Sequence, residues 1–207
     1  MKKEIINKVG IELEGGWNQI PQPINGSIHH DGSVRNINAN FLGEVVSIPL
    51  DENQISEFIN SNYPDKINDT CGMHIHMSFK DGIYREFMTR EFFDYFCTEL
   101  KKWLQQRHVG VRAINRVDGN NRFCKKEYHA DAQYRATHKV EERYCIVNYC
   151  YNLRGTIEVR VLPMFDSKEF SIMAINRVIF LFKKYYNKNC NRNIINQNRE
   201  VRFNIYA

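Results

Sequence analysis

Alternation between apolar and polar side chains marks several segments of the chain as β-strands with one buried face. It is clearest over residues 71–79, where Met73, Ile75 and Met77 share one face and two histidines share the other. The strand candidates are residues 8–14, 41–50, 71–79, 144–151 and 156–162.

Turn-forming residues separate these strands. Gly15 and Gly16 follow the first strand candidate and are predicted to end it. Residues 17–40 are polar, with two prolines and an Asp-Gly pair, and are predicted to hold a short hairpin. Residues 152–155 are predicted to join the last two strands as a second hairpin.

Helical periodicity, with apolar residues every three or four positions, occurs in three segments. These are residues 51–62, 89–107 and 167–186, with Thr89 and Ser167 as predicted N-caps.

Two segments lack a clear pattern. Residues 115–142 are rich in charge and are predicted to form a long, functional loop with some helix. The tail from residue 187 to 207 is basic and rich in asparagine, and residues 202–206 are predicted to add a late edge strand.

The order of these elements predicts an α+β fold with a mostly antiparallel, curved sheet and helices packed on one face. No internal repeat or proline-rich linker divides the 207 residues, so a single domain covering 1–207 is expected. The other, polar face of the sheet is then the predicted functional face.

Composition limits the class of protein without naming a function. The net charge of +5 is compatible with nucleotides, phosphates or nucleic acid as partners and requires none of them. The six cysteines include no Cys-x-x-Cys pair, so a zinc ribbon is not expected. No signal peptide or membrane-spanning apolar stretch is visible, which predicts a cytoplasmic protein with reduced thiols.

The polar faces of three predicted strands carry acids, histidines and an arginine, where solvated strands commonly carry lysine, glutamine and asparagine. Residues two apart on a strand lie about 6.6–7 Å apart, so their side chains can reach one metal ion, or two ions roughly 3.5–4 Å apart. Carboxylates favour magnesium, and an imidazole among them shifts the preference towards manganese. The residues concerned are Glu12, Glu14, His74, His76, Ser78, Thr156, Glu158 and Arg160.

Simpler interpretations of the same residues stay open. The two glutamates of the first strand are compatible with plain exposed charge, and the histidine pair with a zinc site that includes Cys71. Glu158 and Arg160 are also compatible with a surface ion pair of little energetic weight.

Three of these strands resemble the signature strands of glutamine synthetases. Residues 72–78 resemble the Gly-x-His-x-His-x-Ser signature, residues 10–14 the Glu-x-Glu strand, and residues 156–160 the late Glu-x-Arg strand. Asp31-Gly32-Ser33, the segment 43–49 and Asn148 resemble the amidoligase (COOH–NH2 ligase) branch of the glutamine synthetase and glutamate–cysteine ligase superfamily. The motifs follow the family's order over residues 9–163.

The resemblance implies a glutamine synthetase-like catalytic domain that transfers the γ-phosphate of ATP to a carboxylate. An amine then attacks the acyl phosphate, and an amide forms. ATP and Mg²⁺ or Mn²⁺ are the implied cofactors. The implied substrates are a carboxylate and an amine, such as peptides or other amine-bearing polymers.

The resemblance also implies roles for individual residues. The implied catalytic residues are Glu12, Glu14, Glu158 and Arg160, with Arg160 steadying the transferred phosphoryl group. One metal would be held by Glu14 and Glu44, and a second by Glu12, His74 and Glu158. His76 and Ser78 would lie near the nucleotide.

Basic residues outside these strands are further candidates for phosphate binding. Arg143 and Arg154 flank the predicted hairpin and could reach a phosphate. A basic segment could close over ATP or an anionic substrate, or could be a solvated loop; its residues are Arg112, Arg116, Arg122, Lys125 and Lys126.

Three other functions fit parts of the sequence. A phosphotransferase of the guanidino kinase type shares the fold class and stops at phosphate transfer. A metal hydrolase would use His29, His30 and Asp31 with the histidine pair. A non-enzymatic nucleic-acid or anion-binding protein would use the basic C-terminal segment and a stacking surface; the residues are Lys183, Lys184, Lys188, Arg192, Arg199, Tyr185 and Tyr186.

Overall fold

A computed structural model describes residues 4–128 and 144–204, with side chains described except at 152, 153 and 190–204. Within these residues six strands form one antiparallel sheet in the order β2-β3-β1-β4-β6-β5. The strands are β1 (Ile6–Trp17), β2 (Gly26–His29), β3 (Phe41–Ser47), β4 (Gly72–Phe79), β5 (Val147–Cys150) and β6 (Thr156–Pro163).

Helices connect and follow the strands, so the predicted mixed α+β class is confirmed. They are α1 (Ile55–Asn62), α2 (Arg90–Gln106), α3 (Val111–Val117), α4 (Tyr151–Arg154) and α5 (Lys168–Asn204). Short 3-10 helices lie at Glu52–Gln54 and Ile83–Phe87. The predicted N-caps are present, since the hydroxyls of Thr89 and Ser167 accept hydrogen bonds from backbone N–H groups three residues later.

The prediction that Gly15 and Gly16 end the first strand is wrong. Both pair with β3, opposite Gly43 and Leu42, and β1 continues to Trp17. A Cβ on Gly15 would lie only 2.4 Å from the Cβ of Pro64. The glycines therefore allow close packing of neighbouring chain inside the sheet, a reason that local turn rules do not detect.

The C-terminal segment differs from its prediction as well. Helix α5 continues to Asn204, so the predicted boundary at residue 187 and the edge strand at 202–204 are wrong. Residues 168–204 contain neither glycine nor proline, so no strong stop signal interrupts the helix. The rest of the proposed edge strand, at 205–206, lies outside the described residues.

The last two strands form the expected hairpin, with Val147 opposite Val159. Their connection is the single helical turn α4, which ends at Gly155 with φ = 66°. A left-handed conformation of this kind favours glycine and is typical of the residue that follows a helix.

The apolar strand face belongs to the core, together with aromatic side chains of the helices. Ile11, Leu13 and Ile75 are fully buried. Phe182 of α5 lies 4.6 Å from Phe92 of α2 and 5.8 Å from Phe79 of β4, measured between ring centroids. Because strand side chains alternate, this packing leaves the acids and histidines on the opposite face.

Within the described part of the chain, no helix combines the length and apolar character needed to cross a membrane.

Candidate metal centre

The strand register aligns the polar side chains in a row across the sheet. Glu14 lies opposite Glu44 on β3, and Glu12 lies opposite His74 on β4. Farther along the row, Glu158 of β6 lies opposite His76 on one side and opposite Asn148 of β5 on the other. Directly opposed residues have Cβ atoms about 4.5–5.5 Å apart, so these side chains can act on one ligand.

Glu12 stands at the centre of this row. One of its oxygens lies 2.7 Å from Nδ1 of His74, and the other lies 3.0 Å from Nε2 of His76. Both histidines are buried, at 2% and 8% exposure. The two imidazoles therefore hold the carboxylate in a fixed orientation.

Glu158 joins the same group from β6. Its Oε1 lies 3.9 Å from Nδ1 of His74 and accepts a hydrogen bond from Nη1 of Arg160 at 2.7 Å. Its other oxygen accepts a hydrogen bond from Nδ2 of Asn148 at 3.0 Å. The carboxylate is thus buried, ionised and oriented towards the histidines.

Two triads of side chains have the spacing of metal ligands. Ligand atoms of Glu12, His76 and Glu158 all lie within 4.8 Å of one another, and the same holds for Glu14, Asp31 and Glu44. Oxygen and nitrogen ligands 2.0–2.3 Å from one ion are at most about 4.6 Å apart, so a small rearrangement of either triad suffices for coordination. We call them the histidine triad and the acidic triad.

This grouping differs from the implied one in two ways. His76, which the resemblance places near the nucleotide, is part of the histidine triad. His74, assigned to the same metal as Glu12 and Glu158, lies between the triads, with Nε2 3.5 Å from Oε1 of Glu14 in addition to its contact with Glu12. Asp31 completes the acidic triad that the resemblance gave to Glu14 and Glu44.

Asp31 reaches the acidic triad because of its local turn. It follows β2, whose His29 pairs with Glu44. Its carboxylate accepts hydrogen bonds from the backbone N–H and the hydroxyl of Ser33, each at 2.8 Å. This Asx-type turn fixes the carboxylate beside β3.

Charges within the site shift several pKa values. Burial opposes ionisation of Glu12, but hydrogen bonds from His74 and His76 outweigh it and hold the pKa of Glu12 well below its usual range. Burial likewise opposes a charge on His76, yet the partner Glu12 raises the pKa of the imidazole. For Glu158, Arg160 outweighs burial and lowers the pKa of the carboxyl.

Glu44 differs from these residues. Burial, supported by the nearby negative charges of Glu12 and Asp31, raises the pKa of Glu44 to about 7. Ionised carboxylates of the acidic triad therefore repel one another in the ligand-free chain. A bound divalent cation would relieve this repulsion.

His76, Ser78 and Arg154 line a cavity of about 420 Å³ beside the histidine triad, whereas Arg160, which was also predicted to contact the nucleotide, lines a different cavity. The first cavity is also lined by Lys8 and the apolar side chains of Val46 and Pro49. The Ser78 hydroxyl also accepts a hydrogen bond from the Lys8 backbone N–H at 3.1 Å, so it is held against β1.

Sequence reasoning misplaced the basic segment after α2. Arg112 and Arg116 lie on helix α3, and Arg116 is 1% exposed instead of forming part of a solvated loop. The signal was present in part, because Ala113 and Val117 place Arg116 beside an apolar helix face. Arg122 stacks over Phe123 at 4.5 Å, and Arg143 lies outside the described residues.

The histidines proposed for a metal hydrolase are used differently. His29 hydrogen bonds to the hydroxyl of Ser27 at 2.9 Å, and the ring of His30 packs 4.9 Å from that of Phe41. Cys71 is buried, with its thiol 3.7 Å from the side chain of Asn68. Within the described residues, neither candidate triad includes any of these three groups.

Comparison of the chain with protein-family models, with curated proteins and with solved structures gives no match in any of the three.

Proposed function

We propose that this protein is an ATP-dependent carboxylate–amine ligase with a glutamine synthetase-like sheet that holds two divalent metal ions. The observation that carries the proposal is the pair of triads on one sheet face. His74 lies between them, and Arg160 is hydrogen bonded to Glu158. Carboxylates with imidazole and no thiolate suit Mg²⁺ or Mn²⁺ better than structural zinc.

The residues of the chain divide the work of phosphoryl transfer. When bound, the metal ions neutralise phosphate charge. Arg160, which is hydrogen bonded to Glu158, would stabilise the phosphoryl group as it moves from ATP to the substrate carboxylate. The amine then displaces phosphate from the acyl phosphate, which leaves an amide, ADP and inorganic phosphate.

The nucleotide would bind in the cavity beside the histidine triad. Its partly apolar lining, with Val46 and Pro49, suits a base or ribose, while Lys8 and Arg154 carry positive charge for phosphates. The cavity opens next to Glu12 and His76, so phosphates bound there would approach the metal ligands.

Trapping the acyl phosphate tests the proposal without knowledge of the natural amine. The protein is incubated with ATP, Mn²⁺, hydroxylamine and a panel of carboxylates, including amino acids and peptides, and hydroxamate is measured by mass spectrometry. We expect hydroxamate and equimolar ADP with at least one carboxylate, and loss of both in Glu12→Gln and Glu158→Gln.

The same assay separates the alternatives. A phosphotransferase would give a stable phosphorylated product and no hydroxamate, and this result would replace the ligase with the phosphotransferase. A protein that only binds ligands would consume no ATP with any carboxylate of the panel.

Nucleic-acid binding through the C-terminal segment has less support. Tyr185 is 4% exposed and packs against Phe92, so it offers no stacking surface. Lys183 forms an ion pair with Glu52, and Lys184 pairs with Glu99. The side chains of the proposed Arg192 and Arg199 lie outside the described residues.

A further inference from the structure

Arg116 is a buried arginine whose hydrogen-bonding capacity is largely unused. Its Nη2 donates to the backbone carbonyl of Arg160 at 3.2 Å. Within the part of the chain that the structure describes, its Nε and Nη1 have no hydrogen-bond partner, and neither has Nε of Arg160. Buried donors normally have partners, so these atoms need an acceptor that the described residues do not supply.

Arg116 forms no ion pair among the described residues, although the carboxylates of Glu14 and Asp31 line the same small cavity. Burial raises the pKa of the neighbouring Cys124 thiol although Arg116 opposes this, so the thiol is neutral and cannot act as the counter-ion. A buried guanidinium with unused donors is unfavourable, and a bound anion would supply the missing hydrogen bonds.

The two arginines line a small cavity next to the acidic triad. Its walls include Glu14, Asp31 and His74, and the aromatic rings of Phe123 and Tyr144. Its volume is about 30 Å³, whereas one water needs roughly 10–15 Å³. The space therefore suits a group of two or three heavy atoms, such as a carboxylate, better than a phosphate ester.

The absence of a side chain at Gly72 leaves room for Arg116 beside the two triads. A Cβ at this position would lie 2.7 Å from Nη2 of Arg116 and 3.1 Å from both Oε2 of Glu14 and Nε2 of His74. Gly72 therefore leaves the start of β4 without a side chain, so that Arg116 can approach Glu14 and His74.

We propose that Arg116 and Arg160 form the subsite that binds the carboxylate of the acyl substrate. That this carboxylate belongs to a substrate rests on the proposed ligase function, whereas the anion site itself follows from the cavity and the two guanidinium groups alone. A guanidinium fork matches the two oxygens of a planar carboxylate. The volume selects an unhindered terminal carboxylate, on a side chain or at a chain end, over branched acids.

The subsite can be tested without turnover. Thermal unfolding is measured in MnCl₂ with sodium formate as the probe, against sodium chloride at equal ionic strength, and with inorganic phosphate as a bulkier anion. At formate concentrations several-fold above Kd, we expect the Tm to rise by roughly 2–4 °C, and by less in phosphate. In Arg116→Met the formate response should disappear.

Arg112→Met is the matched control. Arg112 lies on the same helix but donates to the backbone carbonyls of Asn68 and Cys71. Its replacement should lower the Tm and leave the formate response intact.

Three results would overturn the subsite: no formate response in the wild type, a response retained in Arg116→Met, or a phosphate response as large as that of formate. A formate response that depends on Arg116, together with no hydroxamate for any carboxylate, would instead reject the ligase and leave the anion site standing.

Discussion

Glu12 determines the charge state of the ligand-free site because it contacts two histidines at once. Its carboxylate is ionised, and its pKa is lowered while that of His76 is raised. The His76 imidazole therefore holds its proton more tightly than a free imidazole when no metal is bound. A divalent cation at the histidine triad must displace this proton, so metal binding should become tighter as the pH rises.

Glu44 makes the stability of the metal-free protein depend on pH. Its folded pKa of about 7 lies above the ordinary value of 4.5. As the pH rises, the unfolded chain ionises first, so the metal-free protein should lose stability between about pH 4.5 and 7. The raised pKa of His76 likewise lowers the stability of the folded protein as the pH rises, so a variant at Glu44 is needed to separate the two contributions.

Urea unfolding of the wild type and Glu44→Gln, from pH 4.5 to 8 without metal, isolates this carboxyl. The variant should be the more stable protein at pH 8, and the difference between the two should shrink towards pH 4.5. With Mn²⁺ the order should reverse at pH 8, because the amide is a weaker ligand. A stability difference independent of pH would contradict the raised pKa of Glu44.

Gly72 tests the crowding between the strand end and the site. Because a Cβ there would lie within 3.1 Å of Arg116, Glu14 and His74, Gly72→Ala should displace these side chains. We expect a stability loss of about 1–3 kcal/mol and at least tenfold weaker Mn²⁺ binding, measured by urea unfolding and calorimetry. Gly110→Ala, where a Cβ meets nothing within 4 Å, should bind Mn²⁺ as the wild type does.

At the scale of elements, the sheet positions the site while the helices hold the sheet in place. Phe182 of α5 contacts rings from α2, from β4 and from the 3-10 helix between them. It is fully buried, whereas Phe180 of the same helix is 47% exposed. The two phenylalanines therefore differ in packing while sharing a helix and a side chain.

Phe182→Ala should destabilise the protein by about 3–5 kcal/mol, since it removes a buried ring and leaves a cavity. Phe180→Ala should cost less than about 1 kcal/mol, because little of its contact area is lost from the core. Urea unfolding of both variants checks the difference. Equal losses would contradict the described orientation of α5.

Alternation along single strands was enough to predict which residues share a face, and Glu12, His74 and Glu158 lie together as that pattern implied. It could not predict the acidic triad, because Asp31 reaches Glu44 only through the pairing of β2 with β3. The burial of Arg116 depends on how α3 packs against the sheet. The prediction for Gly15 and Gly16 was wrong because the residues that they pack against, Pro64 for Gly15 and Ala39 for Gly16, are distant in sequence.

At the scale of the whole molecule, the chain combines a net charge of +5 with a concentration of acids at one place. The five acids of the two triads lie together on one sheet face, and Arg116 and Arg160 lie beside them. This distribution fits a site that receives cations and anions together, as a metal–nucleotide complex and a carboxylate would require.

The most direct measurement is anomalous X-ray scattering from crystals grown with Mn²⁺ and a non-hydrolysable ATP analogue. We predict two manganese peaks, one within about 2.0–2.3 Å of ligand atoms of Glu12, His76 and Glu158, and one within the same distance of Glu14, Asp31 and Glu44. The phosphates of the analogue should contact the ion at the histidine triad. Crystals with ordered nucleotide and no manganese at either triad would contradict the proposal.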